Sequence, residues 1–170
     1  MPEKNSINLK EKFDLSDEYL KIATNADKNN ENFNIVNSTI NHAKFLIYLL
    51  IKRAKKEIKI YSGNLHSECY GDILIKKAVK EALEKNVKIS ILVNKSNTQN
   101  KFLGIDIVNV KKDKSLPLDN HFLVVDDYSY RMEAKHAKSV KDVKAQVNFN
   151  EPRISKGLSV FFDKIYSASV

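Results

Sequence analysis

Val87-Lys-Ile-Ser-Ile-Leu-Val93 is the clearest strand in the chain, and the residues leading into it decide the fold. Branched apolar residues alternate there with lysine and serine, the pattern of an extended, largely buried segment. Just before it, Ile73, Ala78, Val79, Ala82 and Leu83 recur at helical spacing, and Glu84-Lys-Asn86 ends that helix. Further upstream, Ile58, Ile60 and Tyr61 form a short apolar strand that stops at the turn composition Ser62-Gly63-Asn64. Strand, helix and strand in this order make a βαβ unit, whose strands run parallel because the helix carries the chain back. The expected class is therefore α/β, with a mixed, mostly parallel β-sheet flanked by helices.

Working outward, Val36, Ile40, Ala43, Ile47, Leu50, Ile51 and Ala54 predict an amphipathic helix capped by Asn34 or Asn37. On the other side, strands are expected at 105–110, Phe122–Val125, Tyr128–Met132 and Ala145–Phe149, the second and third joined by a hairpin turn at Asp126-Asp127. Residues 135–144 read as a solvated basic loop. A last helix is expected from Asn150 or Glu151, with Pro152 in its first turn, where a missing amide hydrogen is tolerated. Ile154, Leu158, Phe161, Phe162 and Ile165 would be its buried stripe. Residues 1–33 are polar and read as a partly disordered N-terminal extension with one short element around Phe13 to Ile22, leaving 34–170 as the domain. No internal repeat is present.

The chain has 170 residues, 42% of them hydrophobic and 29% charged, enough for one domain with a real core. Its mean hydropathy is −0.41. The single cysteine, Cys69, has no intrachain disulfide partner, and no Cys/His set has zinc-finger spacing, so no metal or other cofactor is expected. The longest apolar run, Phe45-Leu-Ile-Tyr-Leu-Leu-Ile51, is far short of the ~20 residues of a membrane-spanning helix. The polar N-terminus lacks a signal-peptide core, and a cytoplasmic protein with no membrane partner is expected. The net charge of +8 invites a nucleic-acid partner, but only Arg53, Arg131 and Arg153 are arginines. Arginine is the usual residue for bidentate phosphate recognition, whereas lysine is often solvated charge.

The second half resembles the phospholipase D-like superfamily. That family carries His-x-Lys, four residues and Asp around a hydrophobic strand, then Gly-Ser-x-Asn at the end of the next strand. The corresponding frame here is Asp119-Asn-His121-Phe-Leu-Val-Val-Asp126, followed by Glu133-Ala-Lys-His136. The likeness extends over 36–166 and implies a single phospholipase D-like domain. The family's nucleophilic His falls on Asp119, its phosphate-holding Lys falls on His121, and the Asp is kept as Asp126. No position of Gly-Ser-x-Asn is kept. A carboxylate lacks the imidazole's capacity to act as both acid and nucleophile at neutral pH, so the motif is degenerate. His42-Ala-Lys44 imitates the missing His-x-Lys, but two residues along a helix are rotated by about 200° and cannot converge on one ligand.

A rebuilt site would draw on His121, Asp119 and Asp126 as catalytic groups. Arg131, Glu133, Tyr130, His136 and His66 would bind the ligand, with Asn64 and Glu68 on the same loop as His66. Arg131 is the best phosphate-binding residue among so many lysines. Arg131 and Glu133, two apart on a strand, equally read as a structural ion pair, and His66, Glu68 and His136 equally read as solvated loop residues. Three functions follow. The first is a catalytically degenerate phospholipase D-like protein that binds a phosphodiester or nucleic acid; small single-copy bacterial relatives add a role in defence. The second is an active metal-independent phosphodiesterase or nuclease with a rearranged site. The third is a non-enzymatic nucleic-acid-binding accessory protein, with Lys52-Arg-Ala-Lys-Lys56, Lys76, Lys77, Lys80, Lys111, Lys112 and Lys114 tracking the backbone. One motif per chain implies a homodimer, because single-copy members join two motifs across a twofold axis.

Overall fold

The computed structural model describes residues 7–63, 65, 67–93, 109–112, 121–133 and 144–169. Among them the elements run α1 (Leu9–Phe13), α2 (Asp17–Lys28), β1 (Ile35–Asn37), α3 (Ile40–Arg53), β2 (Glu57–Ser62), α4 (Ser67–Tyr70) and α5 (Ile73–Glu84). They continue with β3 (Lys88–Val93), β4 (Asn109–Lys112), β5 (His121–Val125), β6 (Ser129–Glu133), β7 (Ala145–Asn148) and α6 (Pro152–Ala168). One sheet contains all seven strands in the order β1-β7-β6-β5-β2-β3-β4.

The βαβ unit is as expected: β2 and β3 pair in parallel, with Ile58 opposite Ile89 and Ser62 opposite Val93. Asp72 caps α5 by accepting the Leu74 and Ile75 amides, and Asn86, at φ 60°, closes its other end. The sheet is mixed, but its balance is the reverse of the one expected. Only β2·β3 and β3·β4 are parallel, whereas β2·β5, β5·β6, β6·β7 and β1·β7 are antiparallel. One of the four antiparallel pairs, β5·β6, has a local cause. Asp126 and Asp127 adopt φ 53° and 59°, the left-handed pair of a primed hairpin turn, and Tyr128 donates its amide to the Val125 carbonyl. The chain therefore doubles back by a tight turn where a parallel sheet would need a crossover.

Two further expectations are corrected. The helix foreseen from Val36 starts at Ile40, because Ile35, Val36 and Asn37 pair with β7 and Thr39 supplies the cap by accepting the His42 amide. The N-terminal extension is not loose over its described part. Both α1 and α2 pack on α3, and Phe13, Leu15, Ala23 and Ala26 are buried in the main core. Their apolar residues are few, but α3 offers a second apolar side that the sheet alone leaves uncovered. Residues 1–6, and the expected loop at 135–143, lie outside the described residues.

The sheet has one core on each face. On one, Ile58, Ile60, Ile89, Ile91, Leu123 and Val147 meet α3 and α5; on the other, Tyr61, Leu92, Phe122, Val124 and Tyr130 meet Phe162 of α6. Pro152 stands in the first turn of α6, as expected. Phe162 is buried and Ile154, Leu158 and Ile165 pack against this core, but Phe161 remains 45% exposed. Ser155 and Ser159 take the buried helix positions instead, and Ser159 and Asp163 receive the ammonium of the buried Lys59 at 2.5 and 2.9 Å.

Candidate functional site

Sheet topology brings the carboxyl ends of β1, β2 and β6 and the amino end of β5 to one edge, where Asn37, Ser62, Glu133 and His121 stand. His121 faces Glu133 across the β5·β6 ladder, and Arg131 lies one pleat further in, opposite Leu123. Residues two apart on a strand share a face, so His121, Arg131 and Glu133 all point to the α3 side of the sheet. Each is under 9% exposed.

Arg131 has two partners there. Its Nε donates to Asn37 Oδ1 at 3.3 Å, and its Nη1 lies 3.7 Å from Glu133 Oε2. Around it stand Tyr19, Cys69 and Tyr70. Burial raises the pKa of all three, and the Arg131 charge opposes each rise. The Cys69 thiol is pushed up to about 11, so it stays protonated and unreactive near neutral pH. His121 also has an interaction partner and is not a free imidazole.

The same pleat separates Tyr130 from this group. It lies between Ser129 and Arg131, so its side chain points to the α6 side, where its hydroxyl accepts Gln146 Nε2 at 3.1 Å and donates to Asn34 Oδ1 at 3.4 Å. Asp126 is separated by length, because β5 carries it to the opposite edge of the sheet. There its carboxylate accepts the backbone amides of Lys55, Lys56 and Glu57, each at 2.8 Å. Three amide donors on one carboxylate make a structural clamp, and Asp126 cannot meet His121. Glu68 is exposed at the start of α4. Asp119, His66, His136 and Asn64 lie outside the described residues.

His42 and Lys44 do sit inside α3, as the helix reading required. The His42 ring stacks on Tyr19 at 3.6 Å, and Lys44 lies 3.9 Å from Asp72. Sequence reasoning missed Asn37, Tyr19 and Tyr70 as neighbours of Arg131, because they come from three other elements. It could have excluded Tyr130, since strict alternation along Ser129-Tyr-Arg-Met-Glu133 already puts it on the other face. Among the described residues no cluster of His, Cys, Asp or Glu could hold a metal ion, and no helix is long and apolar enough to cross a membrane.

No family model matches the sequence, and no curated protein matches it either. Solved structures do match the fold. Nuc from Salmonella typhimurium, a phospholipase D family member, aligns with TM-score 0.61 at 18% identity over 82% of this chain and 97% of its own. NucT from Helicobacter pylori aligns with TM-score 0.61 at 12% identity over 82% and 99%. TrmBL2, an archaeal chromatin protein with a novel mode of DNA binding, aligns with TM-score 0.63 at 13% identity, covering 89% of this chain and 64% of its own.

Proposed function

We propose that this chain, which has the phospholipase D-like superfamily fold, is a catalytically degenerate member that binds nucleic acid as a homodimer. The observation that carries the reading is the engagement of Arg131. At the edge where family chemistry takes place, the one arginine is buried, hydrogen-bonded to Asn37 and faced by Glu133. A phosphate arriving there would have to displace a carboxylate already in place, in a site of low dielectric where that pairing is strongest. The family's Asp position, Asp126, is spent on backbone amides at the far edge.

Binding without chemistry remains compatible with the +8 charge, which a polyanion recognises through counterion release. The chain covers nearly the whole length of both Nuc and NucT, so it corresponds to one unit of the fold. A single motif frame per unit supports two chains per assembly.

The test is turnover of a bis-aryl phosphodiester and of single- and double-stranded DNA with EDTA present, at pH values from about 5 to 9 where a histidine titrates. No turnover, together with oligonucleotide binding that weakens between about 50 and 200 mM salt, is the expected result. Metal-independent turnover abolished by His121→Ala overturns the degenerate reading. A monomer in sedimentation at micromolar concentration overturns the dimer.

A further inference from the structure

The sheet edge remote from His121 carries a cleft of its own. It opens where α3 passes into β2, a strand whose six residues place the two edges roughly 16 Å apart at about 3.3 Å per residue. Lys55 and Lys56 stand there with exposed side chains, while Asp126 holds their backbone amides and so fixes where those side chains leave the chain. Arg53 forms one wall. Its Nη1 donates to Asp27 Oδ1 at 3.0 Å, its Nη2 donates to Asn30 Oδ1, and its guanidinium lies 5.1 Å from the centre of the Phe149 ring. Tyr128, at the tip of the β5–β6 turn, sits on the rim and is 54% exposed.

The hollow between these groups has a volume of about 380 Å³. A second, of about 490 Å³, shares Asn30, Arg53 and Lys55 with it and continues past Lys52 to Lys85. Five cations line the two, against Asp27 and Asp126. Asp27 is already paired with Arg53, and Asp126 is already saturated by amides. Among the described residues neither Lys55 nor Lys56 has a carboxylate within ion-pair distance, unlike Lys52, which pairs with Glu81.

We propose that this cleft binds single-stranded nucleic acid, with a base stacked on Tyr128 and the phosphates running over Lys55 and Lys56 past Arg53 toward Lys85. An exposed aromatic ring beside a basic, concave track is the arrangement that captures unstacked bases, because every base offers a π-face and every nucleotide a phosphate. In a duplex the bases are stacked and the Tyr128 ring gains nothing from them. Arg53, already paired with Asp27 and Asn30, shapes the wall of the track, and the phosphates are met chiefly by Lys55 and Lys56. The proposal deepens the nucleic-acid reading above and rests on it.

The test is fluorescence anisotropy of a labelled single-stranded 12-mer against the matching duplex, using the full chain. Tyr128→Ala, an exposed change, weakens single-strand binding roughly 5- to 150-fold, the range for one lost base stack. Lys55→Gln with Lys56→Gln makes the log-log salt dependence shallower by about 1.4, at about 0.7 per lost single-strand contact. Lys156→Gln with Lys164→Gln, an exposed pair on α6 outside both hollows, removes the same charge and leaves affinity within about twofold. Equal losses from the two lysine pairs, an unaffected Tyr128→Ala, or equal affinity for the duplex each overturn the cleft while leaving nucleic-acid binding intact. Absence of binding to any oligonucleotide at low salt overturns the nucleic-acid reading itself.

Discussion

The guanidinium of Arg131 lies 3.7 Å from the carboxylate of Glu133, two residues along one strand, with both side chains buried. Breaking such a pair from one side leaves a charge in low dielectric, whereas removing both sides does not. Glu133→Gln is therefore expected to lower stability by about 3 to 5 kcal/mol, and Arg131→Met combined with Glu133→Leu to recover most of it. Urea unfolding midpoints check this. A double variant less stable than Glu133→Gln would show that Arg131 is held chiefly by Asn37.

Asp126 joins the β5–β6 turn to the start of β2 across about seventy residues of chain, through three amides at 2.8 Å. It also sits at φ 53°, a region that Asp and Asn tolerate better than other residues with side chains. Asp126→Ala is expected to cost on the order of 3 kcal/mol, since bonds to a charged acceptor are worth about 1.5 to 3 kcal/mol each and are not additive. Asp126→Asn, which keeps the backbone preference and one carbonyl oxygen, costs less. Hydrogen exchange at the Lys55, Lys56 and Glu57 amides should accelerate in the alanine variant, and unchanged protection would contradict the clamp.

Lys111 is one of the lysines read from sequence as basic surface, yet it caps a helix. Its ammonium donates to the carbonyls of Tyr166 and Ser169 at 2.8 and 3.1 Å and lies 4.4 Å from the centre of the Tyr166 ring. Two carbonyls at the end of α6 thereby gain a cationic donor, the one on Tyr166 in addition to the Ser169 amide it already accepts. Lys111→Met is expected to destabilise by about 1 to 2 kcal/mol and to raise exchange over the last turn of α6. Lys77→Met on α5, exposed, should change stability by less than about 0.5 kcal/mol.

Burial lowers the His42 pKa from its ordinary 6.5, and its buried Nδ1 finds no hydrogen-bond partner among the described residues. The unfolded chain therefore takes up this proton before the folded one does. The stability that neutral His42 contributes is complete above about pH 6.5 and is lost as the pH falls from there through the lower folded value. His42→Phe keeps a ring against Tyr19 and removes the proton. Stability profiles of the two proteins should converge above pH 7 and separate below 6.5, with the wild type falling more steeply.

Much of the architecture follows from the sequence alone. Local periodicity places β2, α5, β3 and α6, Asp126-Asp127 marks the hairpin, and the frame from Asp119 to His136 points to the fold that the solved structures share. These signals are local, resting on side-chain alternation, caps and turn residues a few positions apart. The direction of most strand pairs, the seating of α1 and α2 on α3, and the surroundings of Arg131 were decided only by tertiary structure. Asn37, Tyr19, Cys69 and Tyr70 come to Arg131 from three separate segments, β1, α2 and α4, and no spacing in the sequence encodes that meeting. The same holds for charge. Lys52, Lys55, Lys59 and Lys111 are alike as letters, yet the fold pairs Lys52 with Glu81, buries Lys59, uses Lys111 as a cap and leaves Lys55 exposed. What a lysine does depends on which carboxylates and carbonyls lie within a few ångströms of its ammonium, and long-range packing alone sets those distances.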